Sequence, residues 1–248
     1  QETEKTKTGF NKKLNDSNNS FIFESSGGPL TVWHLPQYGG VYTIGADVAE
    51  GLARGDYSSA HVIDAKSGIV VAHWHGHVDP DKFGEEILLP LGYFYNEALV
   101  GVESNNHGLT TLTALYKSKY TNLYRQRRLN QRNAEPSETL GWRTTSLSKP
   151  LAIDELNAAI RDGALHIKCE YTVAELKTFV RDDNGSTHGS PHDDRVMSLA
   201  IANQMLKYVW LSEYRVQTEK PFGTLDFFAS KVSKPRPEKF VIGEYNTY

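Results

Sequence analysis

Asp47 ends the apolar run VYTIGAD, Glu103 closes ALVGVE, and Asp193-Asp194 open DDRVMSLAIANQMLKYVW. Each carboxylate stands where an apolar segment begins or stops. In an open α/β sheet, ligand clefts form along the edge of strand ends, so acids distant in sequence can converge there. Converged carboxylates repel unless something neutralises them. A pair of Mg²⁺ or Mn²⁺ ions, about 3.5 to 4 Å apart and held by oxygen ligands, does so. It suits in-line attack of water on a phosphodiester, one ion activating the nucleophile and the other stabilising the leaving oxygen. Each acid also has a plainer reading: Asp193 and Asp194 as first-turn acids opposing the helix dipole, Glu103 as a surface residue, Asp47 as a turn residue. For Asp47, between Gly45-Ala46 and Val48-Ala49, nothing local demands a charge.

The elements that must position these acids follow from pattern. Residues 28–36 read as a lead-in strand closed by proline, and 41–49, 59–65 and 69–78 as three strands, the last two joined by a hairpin turn at Lys66-Ser67-Gly68. The short connections make these three antiparallel. Asp79 and Pro80 start a helix over 79–96 that Pro90 is expected to kink or end. Residues 98–104 are a buried strand, 107–118 a helix, and 122–129 a fifth strand. Residues 148–163, with Ser148, Pro150 and Gly163 at the ends, form a helix, and 193–210, apolar nearly all round, a helix buried against a sheet. VAELKTFV (173–180) leads into the glycine-rich DDNGSTHGSP, which reads as a hairpin or lid at the cleft. The predicted architecture is α/β, a mixed central sheet with helices on both faces.

Composition narrows the class. With 248 residues, 39% hydrophobic and 23% charged, the chain can bury a sizeable core. Residues 1–27 read as a polar linker or disordered terminus, 28–217 as one domain, and 218–248, with SKPRPEKF, as a tail too polar for a core. A net charge of -3 means that any nucleic-acid surface must be local. The single cysteine, Cys169, excludes a disulfide framework or a cysteine-based zinc site within one chain and fits a reducing compartment. Neither an 18-residue apolar run nor a signal-peptide pattern is present, so no membrane and a cytoplasmic location are expected.

GADVAEGLARGDYSSAHVID, VGVESNNHG, LGWRTTSLSKP and HGSPHDDRVMSLAIA, in this order over residues 28–207, resemble the C-terminal nuclease domain of the large terminase subunit of tailed double-stranded DNA bacteriophages. The resemblance implies an RNase H-like fold and a two-metal-ion endonuclease that cuts concatemeric viral DNA during genome packaging. It implies two Mg²⁺ or Mn²⁺ ions on Asp47, Glu103, Asp193 and Asp194. Asp56 of GDYS matches a further acidic position, an outer-shell or second metal ligand. Implied partners are double-stranded DNA, the terminase ATPase domain, the small terminase subunit and the portal, on the procapsid in the host cytoplasm. No GxxxxGK[ST] motor motif occurs, so the chain reads as an isolated nuclease domain or a fragment. Two alternatives share the acids: another RNase H-like nuclease such as a junction resolvase, and a non-catalytic docking module of the packaging machine.

Arg125, Arg127 and Arg128 in YRQRRLNQR, with Arg143 and Lys149, are the candidate DNA contacts; phosphate contacts of this kind give salt-sensitive, sequence-tolerant binding. A solvated charged loop is the competing reading. Lys149, just before Pro150 at a helix start, is the best single candidate for the scissile strand. His107 and His192 flank acidic motifs and could orient a water or phosphate. In HWHGH, alternation puts His73, His75 and His77 on one strand face, a pattern that can mimic a zinc site but more often marks the wetter face of an edge strand.

Overall fold

The computed structural model describes residues 28–52, 55–129, 136–181, 187–188 and 192–219. Strands β1 (Leu30–Val32), β2 (Tyr42–Asp47), β3 (Ser58–Asp64), β4 (Val70–Gly76) and β5 (Leu99–Val102) form one sheet in the order β1-β4-β3-β2-β5. β2, β3 and β4 are an antiparallel meander, β1 covers the outer side of β4, and β5 lies parallel to β2. The β3–β4 turn is tight because Asp64 accepts from Lys66 N–H and Ser67 O–H, while Gly68 takes φ 67°.

Side-chain parity on β2 decides where the site lies. Tyr42, Ile44 and Ala46 point into a core shared with Phe83, Leu88, Tyr95, Leu112 and Leu115. Thr43, Gly45 and Asp47 therefore point to the other face. There α6 (Asp194–Glu219) crosses the sheet, packed with α4 (Ser148–Arg161) over Ile63, Val70 and Leu99. Thr43 Oγ1 donates to Ala202 O at 3.1 Å, and a Cβ on Gly45 would collide with Ala202 N and Ser198 O. On β5 the same parity sends Val100 and Val102 to the first core, and Leu99, Gly101 and Glu103 toward α6.

Three expectations change. The helix over 79–96 is not ended by Pro90: α1 (Pro80–Lys82) passes into a π-helical turn (Phe83–Leu88) and on into α2 (Leu89–Phe94). The widened turn, with Leu89 N–H on Gly84 O, makes room for a proline that lacks a donor and crowds the preceding turn. Residues 122–129 do not supply a full fifth strand to the main sheet. Only Leu123 bridges Val100, after which β6 (Arg125–Leu129) turns away to pair with β7 (Pro136–Leu140) as a separate hairpin. The buried Leu123 and Tyr124 hold the chain to the sheet, and the arginine-rich run that follows favours water. Third, α6 continues to Glu219, past the 193–210 expected.

α3 (Asn106–Lys117) packs on the first core, and α5 (Glu170–Thr178) precedes β8 (Val180–Arg181), which pairs with β9 (Thr187–His188). Most of the DDNGSTHGSP connection and residues 1–27 and 220–248 lie outside the described residues. No helix among the described residues is long and apolar enough to cross a membrane.

Candidate metal and nuclease site

The acidic residues meet at the C-terminal end of β2 and β5. Glu103 N–H donates to Ala46 O at 2.9 Å, which sets Glu103 beside Asp47. The α6 N-terminus brings Asp193 and Asp194 over them, because Gly45 lets the helix lie on the strand backbone. Asp47 is half-buried, and burial is the first cause of a pKa raised well above the usual carboxylate range. The Glu103 charge, a hydrogen bond shared with Glu103, and the charges of Asp194 and Asp193 push it the same way. Without cations, Asp47 thus holds its proton to higher pH than an ordinary carboxyl.

The two neighbouring aspartates have different surroundings. Asp193 caps α6 through its carbonyl, which accepts Met197 N–H at 2.8 Å, and its carboxylate takes Lys149 Nζ at 2.7 Å. Asp194 is buried, accepts Tyr57 N–H at 3.3 Å, and has a pKa of about 6. Burial raises that value most; the Tyr57 bond opposes it, and Glu175, Asp56 and Asp193 add to it. Among the described residues no three His, Cys, Asp or Glu side chains are already gathered around one point as ligands.

The remaining site residues named from sequence distribute around this centre. Asp56 is exposed and lies 3.4 Å from His192 Nδ1, and its charge adds to that which Asp194 faces. His107 sits in the first turn of α3, whose cap Asn105 donates to Glu103. Arg125 and Arg143 are exposed; Arg127 is exposed and pairs with Glu138 at 2.8 Å, and the side chain of Arg128 lies outside the described residues. This hairpin adjoins the site because Trp142, just after β7, bridges Glu103.

The histidine strand corrects an expectation. β4 is not an edge, because β1 covers it, and His73 is buried beneath α5 and α6, whereas His75 is half-buried and His77, past the end of β4, is exposed as expected. Its ring bonds to Ser59 Oγ at 3.3 Å and approaches Cys169 Sγ at 3.7 Å, while His75 Nδ1 meets Arg195 at 3.0 Å. His61, also buried, contacts Ser198 and Thr172. Burial lowers His61 and His75 to about 3 and His73 well below its ordinary value, so all three are neutral at pH 7. They tie β3 and β4 to the overlying helices.

Sequence reading missed four residues around the acids. Asn105 caps α3 by accepting Gly108 N–H at 2.7 Å and donates to Glu103 Oε2 at 3.1 Å; an asparagine ahead of a helical pattern was the available signal. Tyr57 stacks on His75 and packs against His77 and His192. Glu175 and Arg195 pair at 3.3 Å, and no local pattern marks them.

Asp194 carries a pH prediction. Its folded pKa is raised, so its contribution to stability is fully present below the unfolded value and is lost as pH rises through about 6. Asp194→Asn in EDTA is therefore expected to melt higher than wild type at pH 7.5, the difference shrinking through pH 6 and vanishing near pH 4. Scanning calorimetry across that range checks it; a difference independent of pH overturns it.

No family model and no curated protein sequence matches the chain. Solved structures do. The large terminase nuclease of thermophilic phage G20c superposes with a TM-score of 0.55 at 21% identity, covering 73% of this chain and 90% of that one. Its magnesium-bound form gives 0.57 at 20% identity, with coverages of 73% and 89%. The large terminase nuclease domain of Thermus phage P74-26 gives 0.54 at 22% identity, covering 72% and 86%. The mixed sheet, its meander and the crossover to a parallel β5 thus form an RNase H-like domain whose fold is that of the phage large terminase nucleases.

Proposed function

We propose that this chain is a divalent-metal-dependent DNA endonuclease of the large-terminase type, which cuts concatemeric viral double-stranded DNA during genome packaging. One observation carries the reading. Asp47, Glu103 and Asp194 meet at the strand ends with raised proton affinity on Asp47 and Asp194, and Lys149 is engaged by Asp193. An all-carboxylate donor set of this kind fits hard cations such as Mg²⁺ and Mn²⁺, whose charge would relieve the repulsion. The G20c nuclease structures with bound magnesium, cobalt and zinc support divalent metal use by analogy of fold.

Asp47, Glu103 and Asp194 would hold two ions, with Asp193 as a further ligand once Lys149 moves off it. Bound metals supply an activated water and stabilise the leaving oxygen. The chain's own side chains do the rest. Lys149 swings from Asp193 to the scissile strand; Arg125, Arg127, Arg128 and Arg143 take phosphates along the hairpin; His107 and His192 orient water or phosphate; Asp56 holds His192. The ATPase domain, the small terminase subunit and the portal are the proposed partners, on the procapsid in the host cytoplasm.

Plasmid digestion tests this. Supercoiled and linear duplex are expected to be cut with Mn²⁺ or Mg²⁺ and left intact in EDTA. Cutting that survives EDTA overturns the metal mechanism, and a strong preference for four-way junctions replaces the terminase assignment with a resolvase.

A further inference from the structure

The α6 N-terminus holds two of the four candidate ligands, and something must fix its position against their mutual repulsion. The first four N–H groups of a helix have no partner within it. Here one of them, Val196 N–H, donates to Glu175 Oε1 of α5 at 2.9 Å. Glu175 is itself buried, and its Oε2 meets Arg195 Nη1 at 3.3 Å. Arg195 reaches on to His75 Nδ1 of β4 at 3.0 Å. The residue after Asp194 is thus tied to the sheet, and the next is tied to α5.

We propose that Glu175 is a positioning residue for the metal site: through Val196 N–H and Arg195 it sets the place and rotation of the α6 first turn, and with it the carboxylates of Asp193 and Asp194. The inference rests on the nuclease reading above. A buried acid beside two others is electrostatically costly, since Glu175 adds to the charge that Asp194 faces. Arg195 offsets that cost and at the same time anchors the brace to β4. Had Glu175 only to fill space between α5 and α6, an apolar residue would do so without the repulsion.

Removing an outer-shell partner of a metal site typically costs about 10- to 100-fold in metal affinity. Glu175→Ala is expected to weaken Mn²⁺ binding by that factor in calorimetric titration. Glu175→Gln, which keeps an oxygen for Val196 N–H but loses the charge opposite Arg195, is expected to fall between it and wild type. DNA affinity in EDTA stays as in wild type, because no DNA contact is removed. A purely structural role would lower the folded fraction, hence the number of binding-competent molecules, without moving the dissociation constant of those that remain. Should Glu175→Ala not fold, Glu175→Gln decides: wild-type Mn²⁺ affinity in that variant overturns the brace. Wild-type protein that takes up no Mn²⁺ overturns the metal reading itself, a failure seen before any variant is made.

Discussion

Asp47→Asn is expected to abolish metal-dependent cutting while raising the melting temperature of the metal-free protein. The loss should exceed the roughly 10- to 100-fold typical of an outer-shell change, because Asp47 lies at the strand end with Glu103 beside it and Asp194 and Asp193 above. The stability gain follows from the same geometry. Burial first, then Glu103, then the two α6 aspartates raise the proton affinity of Asp47, so its charged form is a burden on the apo fold. Asparagine keeps shape and hydrogen bonding without charge. Because Asp47 retains some surface, the gain should sit at the low end for replacing buried charges, about 1 kcal/mol, or roughly 2 to 4 °C for a domain of this size. The sign has a pH signature: a raised folded pKa means the penalty is absent at low pH and grows as pH rises through that pKa. Calorimetry in EDTA at pH 4.5 and 7.5, beside plasmid cutting in Mn²⁺, checks both halves. Asp162→Asn, at an exposed aspartate paired with Arg161, should change neither. A variant that cuts like wild type, or melts lower at pH 7.5, would remove Asp47 from the site.

Much of this arrangement was legible because it is local. Alternation in VYTIGAD, the turn at Lys66-Ser67-Gly68, and the apolar run after Asp193-Asp194 each declare their own element. The resemblance in four ordered motifs then joined acids that periodicity could not. What escaped depends on partners far along the chain. Glu175 is one more acid on a short helix until α6 places Val196 N–H against it, 21 residues on. His73 and His75 of β4 looked wet because alternating polar residues usually face water; here they meet Ser59 of β3, Cys169 at the start of α5 and Arg195 of α6. Pro90 looked like a stop because an α-helix cannot hold it in its interior without loss, whereas a π turn can absorb it. In the segment 122–129 an apolar start hid a departure, since only Leu123 and Tyr124 are held by the sheet before the arginines leave it.

Gly45→Val should be strongly damaging to the fold. A Cβ at this position meets the backbone of α6, at Ala202 N and Ser198 O, and backbone cannot rotate aside as a side chain can. Overpacking a core costs about 1 to 3 kcal/mol when side chains can yield; here the helix itself must lift, so the loss should reach or pass the upper figure, about 6 to 12 °C in melting temperature. Gly45→Ala already introduces the colliding atom and should lose most of that. Gly55→Ala, whose added Cβ would among the described residues touch only Leu52, at 3.4 Å, should stay within about 0.5 kcal/mol of wild type. Thermal melts of the three variants separate close helix approach from a general intolerance of side chains at glycine. Near-equal melts for Gly45→Val and wild type would mean that α6 is not seated on β2. The consequence for chemistry is direct. At Gly45 and Gly101 a side chain would collide with α6, at the second with Met205, and both precede an acid by two residues on the same face of their strands. A helix lifted at Gly45 carries Asp193 and Asp194 away from Asp47 and Glu103, so the fraction of Gly45→Ala that stays folded should need more Mn²⁺ to reach half-maximal cutting. The glycine in YTIGAD thus lets α6 approach the strand end, beside the aspartate that would hold the proposed cations.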